Sequence, residues 1–250
     1  MRKITFFLPL AALALTACGY SVSDAVDDIQ NSDGSAFEDG KTISTMLATT
    51  GAFTEVKALG PDNIVFATGD AFTIKAEGNA KAIATLRYKL EDGTIKIGRT
   101  KGNWFGDESE GVTITITAPK LSAASLAGSG NFTADKMVGD TVKVKIAGSG
   151  SLNVAEVAAK TLETKIAGSG DAIIAGTAEN MDLSVAGSGT INAQKLTATN
   201  AEVSIAGSGD VSINATGKVE AKVAGSGDIN VTGGATCTSK SMGSGNINCS

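Results

Sequence analysis

The chain has no histidine, and this absence limits the chemistry that it can perform. Histidine is the most common general base in hydrolases and a usual ligand of zinc. A catalytic triad of the Ser-His-Asp type is therefore excluded, and a zinc site would lack its normal ligands. Aromatic residues are also scarce, at 4% of the chain with one Trp. Sugar-cleaving sites usually combine paired carboxylates with aromatic stacking surface, so the composition argues against a carbohydrate-active enzyme.

Proline and long hydrophobic runs are scarce as well, whereas glycine is abundant. The chain contains 3 Pro and 31 Gly among 250 residues. This profile indicates many short strands and tight turns rather than a helical bundle. The longest apolar run, residues 4–14, is too short for a transmembrane helix.

The first 17 residues predict a lipoprotein signal peptide. Arg2 and Lys3 form a basic region, an apolar stretch follows, and Leu-Thr-Ala-Cys ends at Cys18. This order is similar to a bacterial lipobox, in which Cys18 would be lipidated and become the first mature residue. Gly19 follows in place of the Asp that retains such lipoproteins in the inner membrane. We therefore expect an outer-membrane lipoprotein of the cell envelope, periplasmic or surface-facing, attached through its lipid.

Charge and the other cysteines fit an exported protein. Removal of residues 1–17 leaves 19 basic against 26 acidic side chains, a net charge of −7, which does not favour nucleic acid as a partner. Cys237 and Cys249 remain, and in an oxidising compartment such a pair more often forms a disulfide than a metal site. Both lie six residues from the last Gly-Ser-Gly, at offsets that are apolar in other repeats. We predict a Cys237–Cys249 disulfide that closes the end of the domain.

Three segments follow the signal peptide. Residues 18–51 are polar and acidic and predict a flexible tether. Residues 52–250 predict one domain, with irregular strands over 52–121 and a repeat region over 122–250. Within the first part, Ile83 onward is expected to be a strand, with a hairpin turn at Asp92-Gly93.

A Gly-Ser-Gly motif recurs seven times in the repeat region, at spacings of 18 to 20 residues. Apolar residues stand two positions before the first six motifs and, except for Thr164, four positions before them; apolar residues also stand four and six positions after each motif. Each repeat therefore contains two short strands with one apolar face, joined by a glycine corner. Stacking such coils about 4.8 Å apart would build a continuous core. The pattern predicts an all-β parallel β-helix, or β-solenoid, of about seven coils; an antiparallel meander is the less favoured alternative.

The glycine motif itself does not resemble a catalytic or ion-binding loop. A phosphate-binding loop needs a Lys after the glycines, and the calcium-binding nonapeptide roll has half this period. The sequence therefore predicts no cofactor and no catalytic residue, and the glycines are expected to serve backbone geometry.

Two other features are candidates for binding. Acidic residues recur five positions before consecutive corners, and the stack would place them in one column: Glu163, Asp182, Glu202 and Glu220. This column is expected to be a solvated acidic face, with weak cation binding as the sharper hypothesis. Trp104 and Phe105 lie in the one long irregular segment, 98–111, and are the candidate contacts for a partner; a Trp that anchors the segment to the core is the favoured alternative for Trp104.

The order of these motifs resembles the autotransporter-adhesin head GIN domain family of bacterial envelope proteins. The resemblance covers about residues 53–249. It is carried by FTEVKALGPDNIVFATGD, then by LEDGTIKIG and VTITITAPKLSAASLAGSGNF, and then by the IAGSGDV units. It implies a right-handed parallel β-helix and an envelope location, and it brings no catalytic site. We therefore expect a non-enzymatic display, adhesion or binding module with a protein or glycan partner. The alternatives are a polysaccharide-processing enzyme and a purely structural envelope component.

Overall fold

The computed structural model describes residues 37–100 and 111–250. Within these residues the chain forms nineteen strands and one short helix. In chain order they are β1 (Lys41–Thr42), β2 (Ala48–Thr49), β3 (Glu55–Gly60), β4 (Asn63–Thr68), β5 (Thr73–Glu77), α1 (Ala80–Thr85), β6 (Leu86–Glu91), β7 (Thr94–Arg99), β8 (Thr113–Ala118), β9 (Ala123–Gly128), β10 (Asn131–Ala134), β11 (Met137–Gly148), β12 (Ser151–Gly168), β13 (Asp171–Gly187), β14 (Thr190–Gly207), β15 (Asp210–Ala215), β16 (Lys218–Gly225), β17 (Ile229–Thr232), β18 (Thr236–Gly243) and β19 (Ile247–Cys249).

Strands β9 to β19 build a parallel β-solenoid of about six turns, which confirms the fold predicted from the repeat. Each coil lies in register with the next, so that the first glycines of successive corners are aligned from Gly128 to Gly243. The long strands β12, β13 and β14 each run along more than one side of a coil, with a register shift where the chain bends. We call the strands before the corners the pre-corner sheet and those after them the post-corner sheet.

The core is a set of apolar columns between these sheets. Two positions before the first six corners the side chains are Leu126, Ile146, Ile166, Val185, Ile205 and Val223, all at most 2% exposed. Burial of one such aliphatic side chain stabilises a fold by roughly 1.5–3 kcal/mol. Because every coil contributes the same positions, stability comes from contacts between neighbouring coils, and a single coil could not fold alone.

The column begins before the first Gly-Ser-Gly. Gly60 pairs with Gly128, and Ile64 pairs with Phe132, so Gly60-Pro61-Asp62 forms a corner of its own. In the sequence, the residues between β4 and β9 separate these two coils, which stack directly on each other in space. The inserted strands pair with the other side of β3 and β4. The region expected to be irregular, 52–121, therefore contains a regular layer of the solenoid. The repeat pattern did not reveal this layer because Gly60-Pro61-Asp62 stands in place of Gly-Ser-Gly at its corner.

The inserted strands thicken the N-terminal end of the column. Strand β7 stacks in parallel on β3, and β8 stacks in parallel on β4. Antiparallel pairing then adds β6 to β7 and β5 to β8. The predicted turn at Asp92-Gly93 joins β6 and β7, and both residues have positive φ, +50° and +74°.

Helix α1 replaces the start of a predicted strand. The expectation of strand from Ile83 is wrong for residues 80–85, which are helical. Asn79 caps this helix, and its side chain accepts hydrogen bonds from the N–H groups of Lys81 and Ala82 at 2.9 and 3.4 Å. The alanines that follow favour helix, so the local cap outweighs the alternation seen in the sequence.

Residues 37–50 also pack on the folded domain, although the sequence predicts a tether as far as residue 51. Strand β1 pairs with β6, and β2 pairs with β5. Phe37 and Ile43 are 4% and 3% exposed. The ring of Phe37 lies directly over Gly98, where a Cβ atom would come within 2.4 Å of it. Two apolar anchors in an otherwise polar segment are thus enough to attach it.

One core position carries an unsatisfied hydroxyl. Thr164 is fully buried among the aliphatic columns, and its Oγ1 has no hydrogen-bond partner. Burial of an unpaired hydroxyl costs about 1–3 kcal/mol. We expect Thr164→Val, which keeps the shape, to raise the free energy of unfolding by about 1–2 kcal/mol in urea titrations. The exposed Thr177→Val is the control, and an unchanged or lower stability for Thr164→Val would contradict the assignment.

Candidate functional site: the outer columns of the solenoid

The Gly-Ser-Gly corners are geometric elements of the stack. The first glycine of each has φ between +125° and +139°. The corner serine is exposed, and its backbone N–H donates to the carbonyl of the first glycine in the preceding coil, for example from Ser149 to Gly128 at 3.0 Å. Since these N–H groups are engaged within the stack, they do not form an anion cradle. The corners thus have the structural role that the sequence predicts.

The structure contains the acidic column in the register that the sequence predicts. Glu163 pairs with Asp182, Asp182 with Glu202, and Glu202 with Glu220, all on the outer face of the pre-corner sheet. Neighbouring members belong to adjacent strands, which lie about 4.8 Å apart in a sheet. The column begins after Lys143 and ends before Thr238, so it spans four consecutive coils.

A second column, two residues further along each strand, supplies the counter-charges. Its members are Lys145, Lys165, Ser184, Ser204, Lys222 and Lys240. The Nζ of Lys222 lies 2.7 Å from Glu220 and 3.3 Å from Glu202. These two hydrogen bonds raise the pKa of Lys222. Ser184 and Ser204 instead share a hydrogen bond between their hydroxyl oxygens, at 2.9 Å. The outer face is thus a carboxylate column beside a mixed lysine and serine column.

Asp182 is the member of the acidic column whose carboxyl group has a raised pKa. Burial raises its pKa above the ordinary value of 3.8, Lys165 lowers it, and the neighbouring carboxylates Glu202 and Glu163 raise it further. The coil that contains Asp182 has Ser184 where its neighbour has Lys165, and the next coil has Ser204, so neither of these two coils supplies a lysine of its own. The ionised form of Asp182 therefore opposes folding.

We expect Asp182→Asn to stabilise the protein at neutral pH by a few tenths of a kcal/mol, up to about 1 kcal/mol. A raised pKa in the folded state means that the penalty is present when Asp182 is ionised and is relieved as the pH falls through its folded pKa. The gain should therefore shrink below neutral pH and vanish below pH 3.8. Thermal unfolding as a function of pH measures it. Asp171→Asn, aligned with Ser151 and Thr190 rather than with carboxylates, is the control; equal effects would contradict this account.

The acidic column is a line of carboxylates rather than a chelating cluster. Across residues 37–100 and 111–250 no group of three or more His, Cys, Asp or Glu side chains could hold a metal ion. Weak cation binding stays a prediction of the sequence. It requires calcium to raise the melting temperature of the wild-type protein and Glu202→Ala to remove that rise. The absence of a calcium-dependent shift would exclude it.

The post-corner sheet carries polar ladders of a different kind. Asn131 donates from its backbone N–H and its side-chain amide to the Oδ1 of Asn63, at 3.0 and 3.1 Å. Asn246 contacts Asp228 in the same way, at 2.9 and 3.2 Å. These side chains satisfy one another along the column, which indicates a structural role.

The terminal coil is closed by the predicted pair of cysteines. A disulfide joins Cys237 and Cys249, and the Cα atoms are 6.6 Å apart. The same coil has serine at two positions that are apolar in the coil before it. Ser239 aligns with Ala221, and Ser241 aligns with Val223; both serines are exposed. Ser241 donates to the carbonyl of Gly245 at 2.9 Å. Polar substitution of inward positions, which the sequence analysis missed, lets the column end in water.

A buried ion pair at the Gly60-Pro61-Asp62 corner was also missed. Asp62 and Arg99 have side chains that are 4% and 6% exposed, and Nε of Arg99 donates to Asp62 at 2.9 Å. Asp62 accepts a further hydrogen bond from the N–H of Val112 at 3.1 Å. One carboxylate therefore holds the end of β7 and the start of the segment that leads into β8. No sequence motif indicates this contact, because its partners are 37 and 50 residues away.

Several predicted residues lie outside the described part of the chain. They are Cys18 with the signal peptide, and Trp104 and Phe105 in the long segment before β8. No helix in the described residues is long and apolar enough to cross a lipid bilayer.

Solved structures with the same fold include proteins from Bacteroides and Parabacteroides species. A "putative adhesin" from Bacteroides fragilis is 23% identical with a TM-score of 0.69, and the match covers 83% of this chain and 100% of that one. A "putative lipid binding protein" from Parabacteroides distasonis is 24% identical with a TM-score of 0.64, covering 84% of this chain and 100% of that one. A "putative adhesin" from Parabacteroides merdae is 20% identical with a TM-score of 0.64, covering 84% and 96%. At these identities the likeness shows the fold alone.

No curated protein matches the chain. Residues 52–235, by contrast, match a family described as "Putative auto-transporter adhesin, head GIN domain". This range includes the Gly60-Pro61-Asp62 corner, the hairpin of β6 and β7 and most of the glycine corners, and it confirms the resemblance drawn from the motifs. The chain belongs to the auto-transporter adhesin head GIN domain family.

Proposed function

We propose that this protein is a lipid-anchored, non-enzymatic envelope protein whose solenoid presents a binding surface to a protein or glycan partner. The observation that carries the proposal is the unbroken register of the outer columns on the pre-corner sheet. From Lys143 to Glu220 the outward side chains repeat once per strand along a rigid sheet. Such a face has fixed charge spacing and little conformational entropy to lose on binding.

The family supports an adhesive or binding role, and it is typical of surface or envelope proteins. The lipobox at Cys18 supports attachment to the outer membrane. Several acyl chains anchor a protein stably where one would be marginal. We also propose that Trp104 and Phe105 contact the partner, since aromatic residues often contribute most of the binding energy of an interface.

Anchoring is tested first, in cells that express the full chain. We expect Cys18 to incorporate radiolabelled palmitate and the protein to fractionate with the outer membrane, whereas Cys18→Ser should lose both properties. Protease treatment of intact cells then distinguishes a surface-facing protein from a periplasmic one. A palmitate-free, soluble wild-type protein would overturn the anchored form of the proposal.

Binding is tested with the immobilised mature chain against envelope extracts and a panel of glycans. Trp104→Ala and Glu202→Ala should each weaken capture of the same partner. Glu179→Ala, an exposed acidic residue outside the acidic column, is the matched control. Capture that is unaffected by both variants would assign the partner to another surface. Cleavage of a glycan would favour the enzyme alternative, and the lack of any partner would favour a structural component.

A further inference from the structure

The N-terminal end of the column is covered by one crossing segment. The N–H of Ile43 donates to Leu86 of β6 at 3.3 Å, and the carbonyl of Ser44 accepts from Ala76 of β5 at 2.8 Å. Since β6 belongs to the pre-corner sheet and β5 to the post-corner sheet, the chain passes from one sheet to the other between these contacts. Ile43 is buried within this cover.

The next residues of the same segment are apolar and point away from the core. Among the described residues, the large apolar side chains with the greatest exposure are Met46 at 76% and Leu47 at 66%. They are adjacent in the sequence and form the tip of the loop between β1 and β2. Two large apolar side chains at one exposed loop tip indicate a contact with an apolar phase or partner.

Charged side chains of both signs lie on the strands that carry this loop. Lys75 lies 2.7 Å from Glu77 on β5, and Lys89 of β6 pairs with Asp39. Lys41 on β1 and Arg87, which pairs with Thr42, add basic side chains at the same end, and the guanidinium of Arg87 donates to backbone carbonyls. The end of the column therefore presents apolar side chains beside ion pairs and basic groups. This composition suits a phospholipid interface better than an acidic or basic protein partner.

The path of the chain indicates what covers the loop. Residues 19–36 separate Cys18 from Phe37, the first described residue. Eighteen residues span at most about 60 Å when fully extended, and roughly 25 Å as a flexible coil. The opposite end of the column lies about six strand spacings further away, roughly 30 Å. A lipid at Cys18 therefore holds the bilayer close to Met46 and Leu47, at a high effective concentration.

We infer that the Met46-Leu47 loop is a second membrane contact, which inserts into the phospholipid interface and seats the N-terminal end of the solenoid on the bilayer. This inference rests on the proposed lipid anchor at Cys18. The solenoid then stands away from the membrane, with its outer columns and its disulfide-closed end exposed to partners. The anchor and the loop together fix an orientation that a flexible tether alone would leave free.

The test uses the full acylated lipoprotein in vesicles of phosphatidylethanolamine and phosphatidylglycerol. Thr45→Cys, labelled with the environment-sensitive fluorophore NBD, reports on the loop without changing Met46 or Leu47. The label is specific if Cys18 is acylated, because Cys237 and Cys249 are joined. We expect a blue shift and a gain in NBD emission on vesicle binding. Ser244→Cys, exposed at the last corner, is the control and should show neither change.

A second variant separates insertion from mere proximity. Adding Met46→Ser and Leu47→Ser to the Thr45→Cys protein should abolish the blue shift, while the protein still floats with the vesicles through its lipid. Flotation without any shift at residue 45 would overturn the inference and leave the anchor intact. If the wild-type protein did not incorporate palmitate or did not float with the vesicles, the proposed anchor would be overturned instead. Equal shifts at residues 45 and 244 would exclude the orientation that we infer.

Discussion

Gly187→Ala is expected to lower the free energy of unfolding by about 3–5 kcal/mol, a large fraction of the stability of a domain of this size. Gly187 has φ of +131°, which costs an L-residue about 1–2 kcal/mol. Its added Cβ would also lie 2.2 Å from the carbonyl oxygen of Gly168 in the preceding coil. The clash is with backbone, so the two coils must separate. Chemical denaturation with an unchanged m-value measures the loss.

Gly60→Ala is the matched control for this prediction. Gly60 occupies the same place in its corner and has φ of +117°, but no atom lies within 4 Å of the position of its Cβ. It should therefore cost only the conformational term, about 1–2 kcal/mol. The difference between the two variants isolates the contribution of stacking. If both variants lost the same stability, the close contact between coils would not be what requires glycine.

Asp62→Ala is expected to destabilise the protein by about 3–5 kcal/mol, because it removes the carboxylate that pairs with the buried guanidinium of Arg99. It also removes the acceptor of the Val112 N–H. The contacts weakened by this substitution lie in the layer where the inserted strands join the column, between β4 and β8. Urea titration followed by circular dichroism measures it.

Two comparisons show whether burial causes the loss. Adding Arg99→Met to Asp62→Ala removes the buried positive charge as well and should recover part of the stability. Glu156→Ala breaks the exposed ion pair with Lys136, whose side chains are 56% and 42% exposed, and should cost less than about 1 kcal/mol. A loss for Asp62→Ala no larger than that for Glu156→Ala would show that the buried pair is not a structural anchor.

The accuracy of sequence-based prediction depended on how local the determining interaction is. The turn at Asp92-Gly93 and the corner glycines were predictable because each depends on backbone conformation within a few residues. The register of Glu163 with Asp182 was predictable because a repeat transfers one local pattern to every coil. The Cys237–Cys249 pair could be predicted for the same reason, from equal offsets around one corner.

Other features could not be predicted because their partners are distant in the chain. Asp62 is recognisable as an anchor only when Arg99 and Val112 are brought to it. The corner at Gly60 departs from the Gly-Ser-Gly motif and is identified by its stacking on Gly128. Residues 37–50 look like a polar tether until Phe37 and Ile43 are seen to be buried against the inserted strands.

The sequence by itself determined the solenoid, its period, its glycine corners and the family, because a repeated pattern of apolar and glycine residues allows few other ways to bury a core. Only the tertiary structure decided how the column begins and, apart from the predicted Cys237–Cys249 disulfide, how it ends. At its ends the stacking rule no longer applies, and single long-range contacts take its place: Asp62 with Arg99, Phe37 over Gly98, and exposed serines in the last coil. The exposed Met46 and Leu47 belong to this second class, because their exposure depends on how the crossing segment lies over the column.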